Sequence, residues 1–145
     1  MNNDRADVNA PSSSKEQQSK AVDIPPFDIQ ERTFQFGVRI VKFVDRLPRT
    51  LSATEIGRQL LKSGTSIAAN MEEAKGAESK NDFIHKVGIA YKEARETRLW
   101  LRMIHTALLP TATEVTELLT ESEELIRILF AIMKKARSNG RIDRR

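Results

Sequence analysis

Four stretches of the chain carry apolar or small residues at alternating steps of three and four, the period that stacks side chains on one face of an α-helix. The first places Ile29, Thr33, Phe36, Ile40, Phe43 and Leu47 on one face, and the second Ile56, Leu60, Ser63, Ile67, Met71 and Ala74. The third runs Phe83, Val87, Ala90, Ala94, Thr97, Leu101, Ile104 and Leu108; the fourth runs Val115, Leu118, Ser122, Leu125, Leu129, Ile132 and Ala136. No stretch alternates with period 2 for long enough to predict a strand.

The punctuation between these stretches agrees. Asp28, Ser52, Ser79 and Thr111 each stand three residues before an acid (Glu31, Glu55, Asp82 and Glu114), the spacing of an N-cap that satisfies orphan amides at a helix start. Pro48, Gly76, Pro110 and Gly140 follow the stretches as stops. The spacing predicts helices over about 28–47, 52–76, 79–108 and 111–138, joined by loops short enough to force antiparallel neighbours. The expected fold is all-α, an up-down-up-down four-helix bundle over 27–138. Residues 1–26, with Ser12-Ser13-Ser14 and few large apolar groups, bury too little to offset ordering entropy and are expected to form a disordered arm. Residues 139–145 are expected to form a basic tail.

Leu119, Ile126 and Met133 widen the apolar face of the fourth helix, and Ile84, Gly88 and Tyr91 lie beside the seam of the third. A monomer need not bury all of this, so self-association is expected; the bland alternative is a broad core face. The longest unbroken apolar run, Ile128 to Met133, spans six residues, far short of a membrane span. The start, Met1-Asn2-Asn3-Asp4, has neither a basic nor an apolar leader region, so the cytoplasm is the expected compartment.

Composition narrows the chemistry. The chain has 145 residues, enough for one domain with its own core, and no cysteine, which excludes a disulfide scaffold, a thiolate zinc site and a thiol nucleophile. Asp82 and His85 have the i,i+3 spacing of bundle metal sites, but Phe83 on the seam turns them outward and no second such unit exists. No glycine-rich phosphate loop is present; Gly64 and Gly88 fall inside helices, where they allow close packing. No catalytic residues, metal or cofactor are assigned, and an enzyme is not expected. Ser66, Asn70 and Glu73 form a polar stripe bordering the second seam, with Glu93 and Glu96 in the same role on the third. They read as a structural network with arginines of neighbouring helices, or alternatively as a ligand site.

The net charge of +4 hides an asymmetry. Residues 106–133 carry one basic and five acidic groups, whereas 134–145 carry six basic and one acidic. The basic end (Lys134, Lys135, Arg137, Arg141, Arg144 and Arg145) suits a polyanion, or simply complements a helix dipole. Arg39, Lys42, Arg46 and Arg49 step along one side of the first helix; Arg58 and Lys62 pair at i,i+4 on the second; Arg95, Arg98 and Arg102 share a side of the third near Tyr91. Arginine's planar fork suits phosphate, so these stripes could track a nucleic-acid backbone without reading bases. With Tyr91 the one aromatic near the stripe, a stacking platform for single strands is poorly supported. The competing reading pairs the arginines with Glu72, Glu73, Glu93 and Glu96.

Ser66-Ile67-Ala68-Ala69-Asn70-Met71-Glu72-Glu73-Ala74 resembles the Ser-Ile-x-x-Asn-x-x-Glu signature of the bacterial four-helix-bundle proteins named after the 23S rRNA intervening sequence. Ala77 to Lys86 and Ile89 to Leu101 look like one branch of that family. The likeness covers roughly 28–138 and is strongest from Gln59 to Ile104. Ala74 stands where many relatives have glycine, and Tyr91 where they have a smaller or aliphatic residue. The resemblance implies a small cytosolic bundle, often a ring-like pentamer, with no enzymatic activity established for the family. Some members are encoded in insertions within 23S rRNA genes. A related branch serves diversity-generating retroelements, as a basic oligomer that binds nucleic acid and a reverse transcriptase. The combined expectation is a non-catalytic module that binds an RNA or DNA backbone through Arg39, Lys42, Arg46, Arg49, Arg95, Arg98 and Arg102. The alternative is an oligomeric protein-interaction scaffold.

Overall fold

The computed structural model describes residues 28–142, with side chains to Gly140. The expected arm, 1–26, and the last residues of the expected tail, 143–145, lie outside the described residues. Four helices follow one another: α1 (Ile29–Asp45), α2 (Leu51–Lys75), α3 (Lys80–Ala107) and α4 (Thr113–Ile142), with no strand among the described residues. Each packs against the next in sequence, and α1 also neighbours α4, the loosest of the four neighbouring pairs.

Local chemistry explains most of the boundaries. Asp28 caps α1 by accepting from the Glu31 N–H at 3.1 Å, and Ser79 caps α3 by accepting from the Asp82 N–H at 3.0 Å. Gly76 closes α2, donating its own N–H to the Glu73 carbonyl.

Three expected boundaries are corrected. Ser52 does not cap α2; Thr50, in extended backbone, accepts from the Ala53 N–H, so the helix begins at Leu51 and Ser52 falls in its first turn. Thr111 sits in a turn that presses Leu109 and Ala112 onto the core, so α4 starts at Thr113. Gly140 does not stop α4, which runs on to Ile142. Glycine weakens a helix without forbidding it, so residues 139–142 belong to α4 rather than to a separate tail.

The seam residues form the core. Phe36, Ile40, Leu60, Ile67, Met71, Val87, Leu101, Ile104, Val115, Leu118, Leu125 and Leu129 are all fully buried. At the end of α4 the seam rotates, and Met133 is buried where Ile132 was expected. Four hydroxyl residues share this interior: Thr33, Ser63, Thr97 and Ser122. Thr33, Ser63 and Ser122 donate to backbone carbonyls one turn back, and Thr97 Oγ1 lies 3.0 Å from Ser63 Oγ across the α2–α3 contact. No buried side-chain polar atom among the described residues lacks a partner, so the interior carries no unmet polar cost. At Gly64 a Cβ would come within 2.9 Å of Ile40 Cγ2, and that close approach sets the α1–α2 contact. Gly88 is less demanding, with a Cβ falling at an ordinary 3.6 Å from Met133 Sδ.

Candidate nucleic-acid interface

The cationic stripes meet different surroundings. On the α1–α4 flank, three arginines at seven-residue spacing face three glutamates of the antiparallel α4. Arg32 grips Glu121 with both Nε and Nη2, at 2.6 and 3.0 Å. Arg39 Nη2 lies 3.9 Å from Glu117, and Arg46 pairs with Glu114 while its Nε donates to the Lys42 carbonyl at 3.0 Å. The bond to Glu121 raises the Arg32 pKa, holding that guanidinium charged. Arg49 is not on the stripe: α1 ends at Asp45, before Pro48, and Arg49 stands exposed in the following turn. Lys42 is exposed and makes no ion pair among the described residues.

The α3 stripe differs. Lys92, Arg95, Arg98 and Arg102 line one shallow cavity of about 400 Å³ together with Glu96 and Leu99. Lys92 also borders a second cavity between α3 and α4, shared with Gly88, His85 and Arg137. Arg137 in turn borders a third, with Phe130, Met133 and Lys134. The second cavity thus shares Lys92 with the first and Arg137 with the third. Six cations stand along them, and none forms an ion pair among the described residues. Lys134, Lys135 and Arg137 are exposed on α4, where a tail had been expected to begin only after residue 138. Of the other tail cations, Arg141 lies on α4 with its side chain outside the description, and Arg144 and Arg145 lie outside it altogether.

Sequence reasoning missed two groups here. Arg32 belongs with Arg39 and Arg46, and the seven-residue spacing shared by the three was a readable signal. Phe130 of α4 comes to 5.9 Å from Tyr91 between ring centroids, with the planes tilted by 42°. Arg95 Cζ sits 5.8 Å from the Tyr91 centroid. An aromatic pair thus stands within the cationic row, where a single tyrosine had been expected.

The expected polar network does not assemble. Ser66 donates to the Lys62 carbonyl and Asn70 Nδ2 to the Ser66 carbonyl, both within α2. Glu73 pairs with Lys86 of α3 at 2.7 Å, a lysine rather than an arginine, and this bond raises the Lys86 pKa. Glu96 accepts from Trp100 Nε1. Glu93 has no ion pair among the described residues. Its carboxyl is pushed above the usual range by partial burial and next by Glu96, with Lys62 opposing. Of the arginines expected for this network, Arg39 and Arg46 pair with α4 instead, and Arg95, Arg98 and Arg102 form no ion pair among the described residues.

The wide apolar face expected to drive self-association is largely used within the chain, where Tyr91, Leu119 and Ile126 pack against the core. Phe34, Val41, Leu61, Leu99, Met103 and Phe130 remain exposed. Among the described residues no group of three or more His, Asp or Glu could hold a metal ion. Among the described residues no helix is long and apolar enough to cross a membrane.

A family model described as 23S rRNA-intervening sequence protein matches residues 26–131. Among solved structures, the chain is similar to a protein of unknown function from the S23 ribosomal protein family of Bacteroides thetaiotaomicron. The two are 36% identical with a TM-score of 0.68, over 73% of this chain and 98% of that one. No curated protein matches.

Proposed function

The chain belongs to the 23S rRNA-intervening sequence protein family, and on that footing we propose that it is a non-catalytic module that binds a nucleic-acid backbone. The observation that carries this reading is the row of six cations along α3 and the end of α4, Lys92, Arg95, Arg98, Arg102, Lys134 and Arg137, without carboxylate partners among the described residues. Phosphates along a strand are repeated anions, and a row of forked or mobile cations neutralises them while displacing counterions. Arg39 and Arg46, already engaged by glutamates, contribute less.

The test is fluorescence anisotropy of a labelled RNA against the protein from about 50 to about 200 mM salt. The expected result is tight binding whose affinity falls linearly on a log–log plot with a slope of several units. Weak binding that is flat in salt refutes the reading.

A second reading, an oligomeric interaction scaffold, is favoured by the exposed Phe34, Val41 and Leu61. In the antiparallel α1–α2 register Val41 lies level with Leu61, giving a small apolar surface suited to another protein or another copy. Sedimentation of the wild type beside Val41→Lys checks it: the wild type assembles and the variant does not.

A further inference from the structure

We infer that the Tyr91–Phe130 pair is a stacking platform for an unpaired base, so that single-stranded nucleic acid is the form this surface takes. The inference rests on the polyanion reading above and adds what that reading leaves open.

Phe130 is 50% exposed, although it stands among cations rather than in an apolar face. A ring left open beside charges gains nothing from the core and nothing from a phosphate. It gains from a second flat π-surface. Tyr91 backs it at 5.9 Å, and Arg95 covers the Tyr91 ring at 5.8 Å, an arrangement that holds the tyrosine in place. Next to Phe130 lies an open cavity of about 340 Å³ flanked by Lys134 and Arg137. A base entering there stacks on Phe130 while the phosphates on either side meet those two cations.

A duplex cannot use this arrangement, since its bases already stack on one another and present only edges. It would touch the cations and leave the ring unused. Single strands supply free base faces, and stacking tolerates any sequence because every base has one.

The experiment compares a short labelled oligouridine with an RNA duplex of the same length, on wild type, Phe130→Ala and Phe130→Trp. Because the Phe130 side chain is half exposed, its removal leaves the bundle intact, which circular dichroism checks. The expected result is that the single strand binds more tightly than the duplex despite carrying half the charge. Phe130→Ala weakens single-strand binding by about 10-fold, within the range for loss of one stacked base, and leaves the duplex unchanged. Phe130→Trp restores it. If Phe130→Ala binds both probes like wild type while Arg95→Glu/Arg102→Glu loses both, the platform is overturned and backbone binding stands. If wild type binds neither probe at physiological salt, backbone binding itself fails. A wild-type oligomer that Phe130→Ala dissociates, with unchanged RNA affinity, would make this face a subunit contact and overturn the platform.

Discussion

The α1–α4 and α3–α4 flanks both carry arginines at helical spacing, and they differ in what α4 sets against them. Facing α1, the first half of α4 supplies Glu114, Glu117 and Glu121, one for each of Arg46, Arg39 and Arg32. Along α3 no carboxylate comes within ion-pair distance of Arg95, Arg98 or Arg102 among the described residues, and the second half of α4 adds Lys134 and Arg137. Exposed Arg–Glu pairs stabilise by only ~0.2–1 kcal/mol each, so the three on the first flank do not account for the bundle. Their effect is on availability. A phosphate approaching Arg32, Arg39 or Arg46 must displace a carboxylate, whereas one approaching Arg95, Arg98 or Arg102 displaces water and counterions. The pairs also lie along the loosest of the four seams between neighbouring helices, which long side chains can span.

The comparison is most exposed to charge reversal. Arg95→Glu/Arg102→Glu is expected to weaken RNA binding by at least about 10-fold near 100 mM salt and to lower the log–log salt slope by about 2, one for each phosphate that is no longer neutralised. Arg39→Glu/Arg46→Glu, an equal change in net charge, is expected to cost less than about 3-fold beyond the long-range field both share. Anisotropy titrations on the two double variants decide the matter. Equal losses would mean that pairing with α4 does not hide the first stripe.

Stability should divide the other way. Glu121→Gln breaks the two-pronged bond to Arg32, whose side chain is 35% exposed against 21% for the glutamate. This pair is the most enclosed of the three, and its loss is expected to destabilise by about 1 kcal/mol, at the upper end for partly exposed pairs. Urea unfolding would register the loss as a lower midpoint at unchanged slope, with the difference shrinking in high salt as screening takes over. Arg98→Gln on the other flank is expected to change stability by less than about 0.5 kcal/mol. A larger effect there would reveal a partner for Arg98.

These contrasts were only partly legible in the sequence, for a physical reason. Burial follows helical period, and period is local: Ile40, Leu60, Leu101 and Leu125 could be assigned to the core by counting threes and fours. Caps are local too, yet Thr50 and Ser52 both carry a hydroxyl close after Pro48, and only the backbone conformation at Thr50 decides between them. Pairing across helices is not local. Which glutamate meets Arg39 depends on which helix is its neighbour, on the antiparallel register and on the rotation of α4, so Glu117 was not chosen over Glu73 or Glu93. Phe130 escaped notice for the same reason. It lies 39 residues from Tyr91 in the chain and comes beside it only because α3 and α4 run side by side.

The smallest effect tests the complementary case, a carboxylate without an arginine. Glu93 lies on the α2–α3 side, partly buried and beside Glu96, and its carboxyl titrates above the ordinary value of 4.5, with desolvation the leading cause. A raised acid pKa means that the fold prefers the protonated form. At neutral pH the ionised carboxylate therefore works against folding, and stability is gained as pH falls through the raised folded value, fully so below 4.5. Glu93→Gln removes the charge and keeps the shape. It is expected to raise Tm by about 1–2 °C at neutral pH, with the advantage over wild type fading as the pH is lowered towards about 4. Thermal melts of both proteins across that range give the answer. A variant less stable than wild type at neutral pH would show that Lys62, which opposes the shift, outweighs the burial, and that Glu93 has a partner after all.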